Sequence, residues 1–318
     1  MNSRGIRLVT APASFGFIAA FVMWIVTAAY SGFGNAGAML SAALAFGAFS
    51  VLIGTGQMLV IASGPGNIDL SVPWVLTLAA YVSMSVMHEQ NYLALPGLFV
   101  ALAVGAVAGA LNFGAIAALR LPPIIATLAW SFVYQSFAFN LGGEATLKPP
   151  AILSWFTVQR VMGVQIMPVV VIGVTLVTMI LLRRSVFGRN LLATGQSEPA
   201  AYLSGIEVRQ VRLLAYVLCG TLAALTGFLL SGFTGGAALN MGDTYLMESI
   251  AVVVLGGTSV AGGQANAVGI WGAALFFNLM ATMLNTFHLE AGVRLLLTGV
   301  LIILIVSVVP RVAIQNSK

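Results

Sequence analysis

Charged side chains are scarce in this chain. Asp, Glu, Lys and Arg make up 7% of its 318 residues, whereas soluble globular proteins carry about 25%. Hydrophobic residues reach 60%, and the mean hydropathy is +1.04. Because apolar runs of at least about 18 residues recur along the chain, the composition excludes an ordinary soluble protein. It predicts an all-α integral membrane protein.

Residues for enzymatic chemistry are scarce too. The single cysteine, Cys219, lies in an apolar run, which excludes a disulfide framework and a cysteine-based metal site. The two histidines, His88 and His288, stand alone at predicted helix ends, and no HExxH or GxSxG motif occurs. The phosphate-binding pattern GxxxxGK followed by Ser or Thr is also absent. We therefore expect no catalytic residue and no bound metal or cofactor, and a process that consumes ATP would need a separate ATPase subunit.

Ten apolar runs predict ten membrane-spanning helices in a single polytopic domain over residues 1–318. They cover 11–31, 38–61, 71–87, 94–118, 122–141, 166–182, 213–233, 245–261, 266–286 and 292–309. With the N-terminus inside, ten Lys and Arg residues lie on the inner side and three on the outer side. This bias follows the positive-inside rule, so we expect both termini and residues 183–212 to be cytoplasmic. No basic cluster is interleaved with aromatic residues, so the positive charge does not indicate nucleic-acid binding.

Residues 183–212, here called the polar segment, form the only long polar stretch of the chain. Within it, Ser197 is a helix N-cap type, Glu198 and Pro199 suit a first turn, and Gly205 suits a C-cap. The pattern predicts a short amphipathic helix outside the membrane. It is either an ordinary surface element or a docking element for a cytoplasmic partner.

Two glycine-containing stretches interrupt the apolar runs. The first break, residues 63–73, carries Asp69 and Ser71, which are good N-cap types for the next helix. It is either a plain turn or a broken segment that lines a water-filled path, where irregular backbone is tolerated at membrane depth. The second break, residues 256–263, is either a tight turn or a hinge, and its candidate gating residues are Gly256, Gly257, Gly262 and Gly263.

Few polar side chains are candidates to line a translocation path. We name Asn67, Asp69, Ser71, Asn112 and Glu248. Asn112 lies beside the GxxxG pair Gly105 and Gly109, so an interhelical hydrogen bond is the alternative to a substrate contact. Glu248 lies about one turn into its predicted helix, where an acid also complements the helix dipole.

Four sequence stretches resemble motifs of one known family. GRNLLATGQSEPAAYLSGI at 188–206 resembles the cytoplasmic coupling segment of the permeases of bacterial ABC importers. NIDLSV at 67–72 resembles that family's GIDLSVG, and LPPIIATLA at 121–129 resembles its LPPFIVTLG. LMESIAVVVLGGTSVAGG at 246–263 resembles its LDAIAAVVLGGTSLAGG. The four occur in the family's order, and they point to its ribose-type branch, which imports pentoses, hexoses, autoinducer-2 and similar polyols.

The resemblance implies a fold like that of type II ABC importers, with about ten spans. It implies a second permease subunit, identical or different, together with a cytoplasmic ABC ATPase that binds ATP and Mg and an extracytoplasmic substrate-binding protein. The assembly would lie in the bacterial inner membrane, in contact with its lipid. The residues that match or flank the coupling motif are Gly188, Ala193, Gly195, Ser197, Glu198, Ala200, Ala201, Ser204, Gly205 and Ile206.

The chain departs from the family pattern at a few positions. Asn67 and Pro73 stand where the family has glycines at the two ends of its DLS motif, and Glu248 stands for an Asp. Pro73 stiffens a place that glycine would leave free, which puts a gating role of the first break in doubt.

Two functions follow. The first is the permease subunit of an ATP-driven sugar or polyol importer that works by alternating access. The alternative is an ion-coupled secondary carrier for a small polar solute. Because the acids gather at span ends, proton or sodium relays are poorly supported, although backbone oxygens at helix breaks can also bind sodium.

Overall fold

The computed structural model describes residues 12–142, 147–161, 164–287, 290, 292–293, 296–300 and 303. The predicted span 292–309 lies mostly outside these residues. His288 and five of the basic residues counted for orientation, Arg4, Arg7, Arg294, Arg311 and Lys318, lie outside them altogether.

The described chain is almost entirely helical. Its helices are α1 Pro12–Ser31, α2 Ala36–Ala62, α3 Val72–Met87, α4 Ala94–Leu119, α5 Pro123–Gly142, α6 Ala151–Val158, α7 Ile166–Arg184, α8 Val186–Gln196, α9 Glu198–Leu203, α10 Val208–Thr234, α11 Tyr245–Leu255 and α12 Ala267–Thr286. Two-residue strands β1 Arg160–Val161 and β2 Val164–Gln165 pair antiparallel between α6 and α7, with Arg160 opposite Gln165. Short 3-10 turns at Phe33–Asn35 and Asn91–Leu93 precede α2 and α4.

Seven of the described helices are long and apolar enough to cross a membrane, and α3 and α11 are shorter apolar helices. Helix is the expected form here, since a span in hydrocarbon must satisfy every backbone polar group internally. Nine of the ten predicted spans coincide with one of these helices. The boundary of one was wrong: the span predicted over 245–261 ends at Leu255, because Gly256 and Gly257 turn the chain, with Gly257 at φ +85°.

The interior is centred on α2, α10 and α12, whose apolar stretches are the most enclosed of the long helices. Large apolar side chains on α1, α4, α5 and α7 point outward instead, among them Phe21, Phe99, Phe132 and Val177. This is the distribution of a helical bundle whose outer surface faces lipid, because lipid removes the need to bury those side chains in protein.

Glycine allows α4 and α10 to touch along their backbones. A Cβ at Gly105 would collide with the carbonyl oxygen of Gly220, and a Cβ at Gly109 would collide with that of Tyr216. The GxxxG pair Gly105 and Gly109 is therefore a close-packing motif, and it holds α4 and α10, which carry Asn112 and Tyr216, against each other.

Candidate functional site

The polar segment leaves the membrane-spanning bundle as a helical hairpin. After α7 ends at Arg184, the Ser185 hydroxyl accepts a hydrogen bond from the Gly188 backbone N–H at 2.9 Å and caps α8. A Cβ on Gly188 would collide with the carbonyl oxygen of Leu181, so only glycine allows this tight return. Helix α8, over Val186–Gln196, was missed by the sequence analysis because Asn190, Thr194 and Gly195 weaken its helical pattern.

Helix α9 confirms the short helix predicted in the polar segment. Ser197 is its N-cap and accepts from the Ala200 N–H at 3.4 Å, with Pro199 in the first turn. Gly205 follows at φ +80°, and the Ile206 N–H donates to the Ala201 carbonyl at 3.0 Å, which closes the C-terminus. An ion pair of 2.6 Å between Glu198 and Arg212 joins α9 to α10. Because the Glu198 side chain is 54% exposed, this pair adds little stability.

The two faces of α9 differ sharply. Ala201 is buried, whereas Tyr202 and Leu203 are 74% and 85% exposed. The other residues matching or flanking the coupling motif divide in the same way: Gly188 and Gly195 are buried, Ala193 and Ile206 are half-buried, and Ser197, Glu198, Ala200, Ser204 and Gly205 are exposed. Large apolar side chains exposed on a polar segment are typical of a surface that binds another protein.

Three chain segments meet by backbone contact where α8 ends, and we call this contact the junction. A Cβ on Gly195 would collide with both the Ala62 carbonyl oxygen and the Gly263 nitrogen. The Gly263 N–H donates to that same Ala62 carbonyl at 3.0 Å, and Gly262 lies against Gly64 of the first break. The polar segment therefore touches both breaks, although the three are far apart in sequence.

The four candidate gating glycines have two different surroundings. Gly262 and Gly263 adopt positive φ, at +87° and +75°, and take part in the junction. Gly256 packs instead against the start of α12, where its Cβ would lie 2.9 Å from the Ile270 nitrogen, and Gly257 turns the chain after α11.

Asp69, Ser71 and Asn112 form a buried polar cluster together with Tyr134. The Ser71 N–H and hydroxyl donate to Asp69 Oδ1 at 2.9 and 2.7 Å. Asn112 Nδ2 donates to both Asp69 carboxylate oxygens at 3.2 Å and to Ser71 Oγ at 2.7 Å. The Tyr134 hydroxyl donates to Asn112 Oδ1 at 3.2 Å, which extends the cluster to α5. The interhelical hydrogen bond weighed for Asn112 is thus present.

The capping role expected of Ser71 takes a different form. Ser71 occupies the N-cap position of α3, but its hydroxyl makes no capping hydrogen bond to that helix. Its hydroxyl donates to Asp69 Oδ1, and its oxygen accepts from Asn112 Nδ2 at 2.7 Å, so the acceptor that would cap the helix is used within the cluster. Burial raises the pKa of Asp69, and the hydrogen bonds from Ser71 and Asn112 oppose that rise.

Two further buried side chains, which no sequence signal singled out, hold the first break. With its amide oriented to match donor to acceptor, Gln57 donates to the Asp69 carbonyl at 3.3 Å and accepts from the Asp69 N–H at 3.2 Å. The Tyr216 hydroxyl lies 3.5 Å from Asn67 Oδ1, and Asn67 Nδ2 donates to the Gly64 carbonyl at 3.3 Å. The break is therefore an ordered loop fixed by α2, α4 and α10.

Glu248 belongs to a separate polar group. It accepts a hydrogen bond of 2.5 Å from Ser50 of α2, and Asn278 of α12 donates to Ser50 Oγ at 3.2 Å. The five path candidates therefore fall into two sets, with Asn67, Asp69, Ser71 and Asn112 in one and Glu248 in the other. Ser50 and Asn278 were missed because single polar residues within apolar runs carry no motif.

An open cleft of about 730 Å³ lies between the polar segment and the adjoining ends of α4 and α5. Asn67, Glu198, Arg209 and Arg212 are in its wall. Thr194 Oγ1 and Arg212 Nε, also in its wall, are buried without a hydrogen-bond partner among the described residues. Of the path candidates, Asn67 is the one that reaches this cleft.

Comparison with known proteins gives a consistent result. Residues 39–306 match the family described as Branched-chain amino acid transport system / permease component. The ribose import permease protein RbsC of Escherichia coli (strain K12) is 32% identical over 266 residues, which cover 81% of each chain. The autoinducer 2 import system permease protein LsrC of Enterobacter sp. (strain 638) is 32% identical over 80% of this chain and 75% of its own. The fructose import permease protein FrcC of Rhizobium meliloti is 29% identical over 81% and 73%. No solved structure matches the chain.

Proposed function

The chain belongs to this family of transport-system permease components, and on that premise we propose that it is the membrane subunit of an ATP-driven importer for a sugar or a related small polyol. A permease component is a transport subunit and not an enzyme. The substrate class is proposed because the similar proteins are named for ribose, autoinducer 2 and fructose import. Uptake measurements with these compounds identify which one the chain carries.

The observation that carries the ATP-driven mechanism is α9. The Tyr202 and Leu203 side chains of this six-residue helix are largely exposed, so that face has no evident packing role within the described chain. A cytoplasmic ATPase that receives these side chains in a groove would bury them, in the same way as other helix-in-groove contacts. ATP and Mg would then be bound by that partner, and this chain would bind neither.

We propose the remaining partners and the location on the same basis. A second permease subunit, identical or different, would complete the path, and an extracytoplasmic binding protein would deliver the substrate. The excess of Lys and Arg on one side favours a cytoplasmic location for the polar segment and both termini, with the chain in the inner membrane of a bacterium.

The contacts suggest how movement of the ATPase would reach the path. A displacement of α9 would be passed to α10 through the Glu198–Arg212 pair. It would also be passed to α8, because α9 directly follows α8 in the chain. Helix α8 ends at the junction, where Gly195 touches Ala62, the last residue of α2 before the first break, and Gly263 of the second break. Tilting of the connected spans would then alternate access to the path. Asn67 would meet the substrate in the cleft, while the polar cluster keeps the first break in shape.

Reconstitution into proteoliposomes tests this function. The chain alone, and the chain with its cognate ATPase and binding protein, are assayed for uptake of radiolabelled ribose, fructose and autoinducer-2. We expect uptake only for the complete set and only with ATP. Uptake by the chain alone, driven by a sodium or proton gradient without ATP, would establish the secondary-carrier alternative instead.

A further inference from the structure

An apolar groove of about 420 Å³ lies on the outer surface of the bundle between α7 and α10. Leu59 of α2 contributes to it, together with Val177 and Leu181 of α7 and Leu218 of α10. The two hydroxyls in its wall donate within their own helices, Thr178 to the Val174 carbonyl at 2.9 Å and Thr221 to the Val217 carbonyl at 2.7 Å. The groove therefore offers hydrocarbon contact and no free polar group from these side chains.

Gly173 opens the groove on the α7 side. A Cβ built at this position meets no atom within 4 Å, unlike the glycines that bring helix backbones together in this chain. A glycine in the middle of a helix weakens that helix. Close packing within the chain does not explain why Gly173 is a glycine, because no atom lies near its Cβ position. Because Gly173 has no side chain, a recess remains beside α7 at this position.

Basic side chains stand at the end of the groove. Arg184 follows Leu181 by three positions and Val177 by seven, so it continues the same face of α7. The Arg189 guanidinium reaches this helix end and donates to the Arg184 carbonyl at 3.1 Å. Both arginines are exposed. Within the part of the chain that the structure describes, the single ion pair is Arg212–Glu198, so neither has a carboxylate partner.

We propose that the groove and these arginines form a binding site for an anionic phospholipid. One acyl chain lies in the recess beside Gly173, and the phosphate lies against Arg184 and Arg189. Basic residues where membrane helices leave the bilayer attract anionic headgroups, and an apolar groove in line with them accepts the tail. The site is independent of what the chain transports.

A second copy of the chain fits this face less well. In a two-fold symmetric contact the same surface of both subunits is used. Arg184 and Arg189 of both copies would then approach one interface, although neither has a carboxylate partner among the described residues to offset its charge. The phosphate of a lipid headgroup would neutralise the positive charge of these arginines directly.

Native mass spectrometry of the full chain in detergent tests the proposal. The protein is mixed with equal amounts of phosphatidylglycerol and phosphatidylcholine that carry the same acyl chains. We expect the wild type to retain phosphatidylglycerol preferentially. Arg184→Gln and Arg189→Gln should each reduce that retention about fivefold, the effect of one basic residue at a membrane surface. Gly173→Leu should fill the recess and reduce retention further.

Two variants serve as matched controls. Gly114→Leu changes another exposed helical glycine whose Cβ meets nothing within 4 Å, and Arg209→Gln removes an exposed arginine elsewhere in the polar segment. Both should bind phosphatidylglycerol like the wild type. Equal retention of the two lipids by the wild type would overturn the proposal, as would losses in the controls as large as those at Arg184. A shift from dimer to monomer in Gly173→Leu with lipid retention unchanged would also overturn it, because the face would then be an interface between copies.

Discussion

Several hydrogen bonds that hold the first break converge on one carboxylate, that of Asp69. Asp69 accepts from the Ser71 N–H, the Ser71 hydroxyl and Asn112, and all three side chains are buried. An amide in its place would turn a donor toward those donors. We expect Asp69→Asn to destabilise the fold by about 1–3 kcal/mol, the cost of disturbing hydrogen bonds to a buried charged group. Unfolding in mixed micelles of mild detergent and SDS measures this. Asp243→Asn, at an exposed acid, should unfold like the wild type.

Gly195 is the residue on which the junction depends. A methyl group there would collide with the Ala62 carbonyl and the Gly263 nitrogen, both backbone atoms that cannot rotate away. Gly195→Ala should therefore push α8 away from the end of α2 and from the second break at a cost of about 1–3 kcal/mol. In the reconstituted transporter we expect ATP hydrolysis to continue while sugar uptake is lost. Gly114→Ala, with open space around its Cβ, should leave both rates unchanged. Normal uptake by Gly195→Ala would show that this contact transmits nothing.

At the scale of one element, different residues of α9 serve the proposed docking to the ATPase and the folding of the helix. Its exposed side chains Tyr202 and Leu203 can be shortened without disturbing the helix, whereas a bulky charge at buried Ala201 would disrupt the helix itself. We expect Tyr202→Ala to weaken binding of the ATPase subunit by about 2 kcal/mol, or roughly 30-fold, as for aromatic side chains at the centre of an interface. Binding of the ATPase to the permease in nanodiscs gives the affinity. Val186→Ala, which shortens another exposed apolar side chain of the polar segment, should bind normally.

Prediction from sequence succeeded where an element is defined by its own residues. The spans follow from length and apolarity, and α9 follows from Ser197, Pro199 and Gly205 at its ends. It failed where a neighbour decides the structure. Glycines 256 and 257 end α11 against α12, and α8 forms because it packs back on α7 through Gly188. The partners Gln57, Tyr216, Ser50 and Asn278 lie far along the chain from the residues they contact, so no local pattern could identify them.

For the whole molecule, the distribution of Lys and Arg predicts the orientation in the membrane, and labelling of introduced cysteines tests it. Cys219 is buried, so the native chain should not react with a membrane-impermeant maleimide. Tyr92→Cys and Leu203→Cys place a thiol at two highly exposed positions that the span count puts on opposite sides. In intact cells or spheroplasts we expect Tyr92→Cys to react and Leu203→Cys to react only after permeabilisation. The reverse pattern would invert the assigned orientation.

The junction also has a consequence for timing. At Gly195, Ala62 and Gly263 backbone meets backbone, and no side chain lies between them that could change rotamer and absorb a small displacement. A shift of α8 by less than an ångström must therefore be taken up by both breaks together. If access alternates as proposed, opening of one side and closing of the other should share a single energy barrier, and a half-switched state with the two breaks relaxed independently should not accumulate.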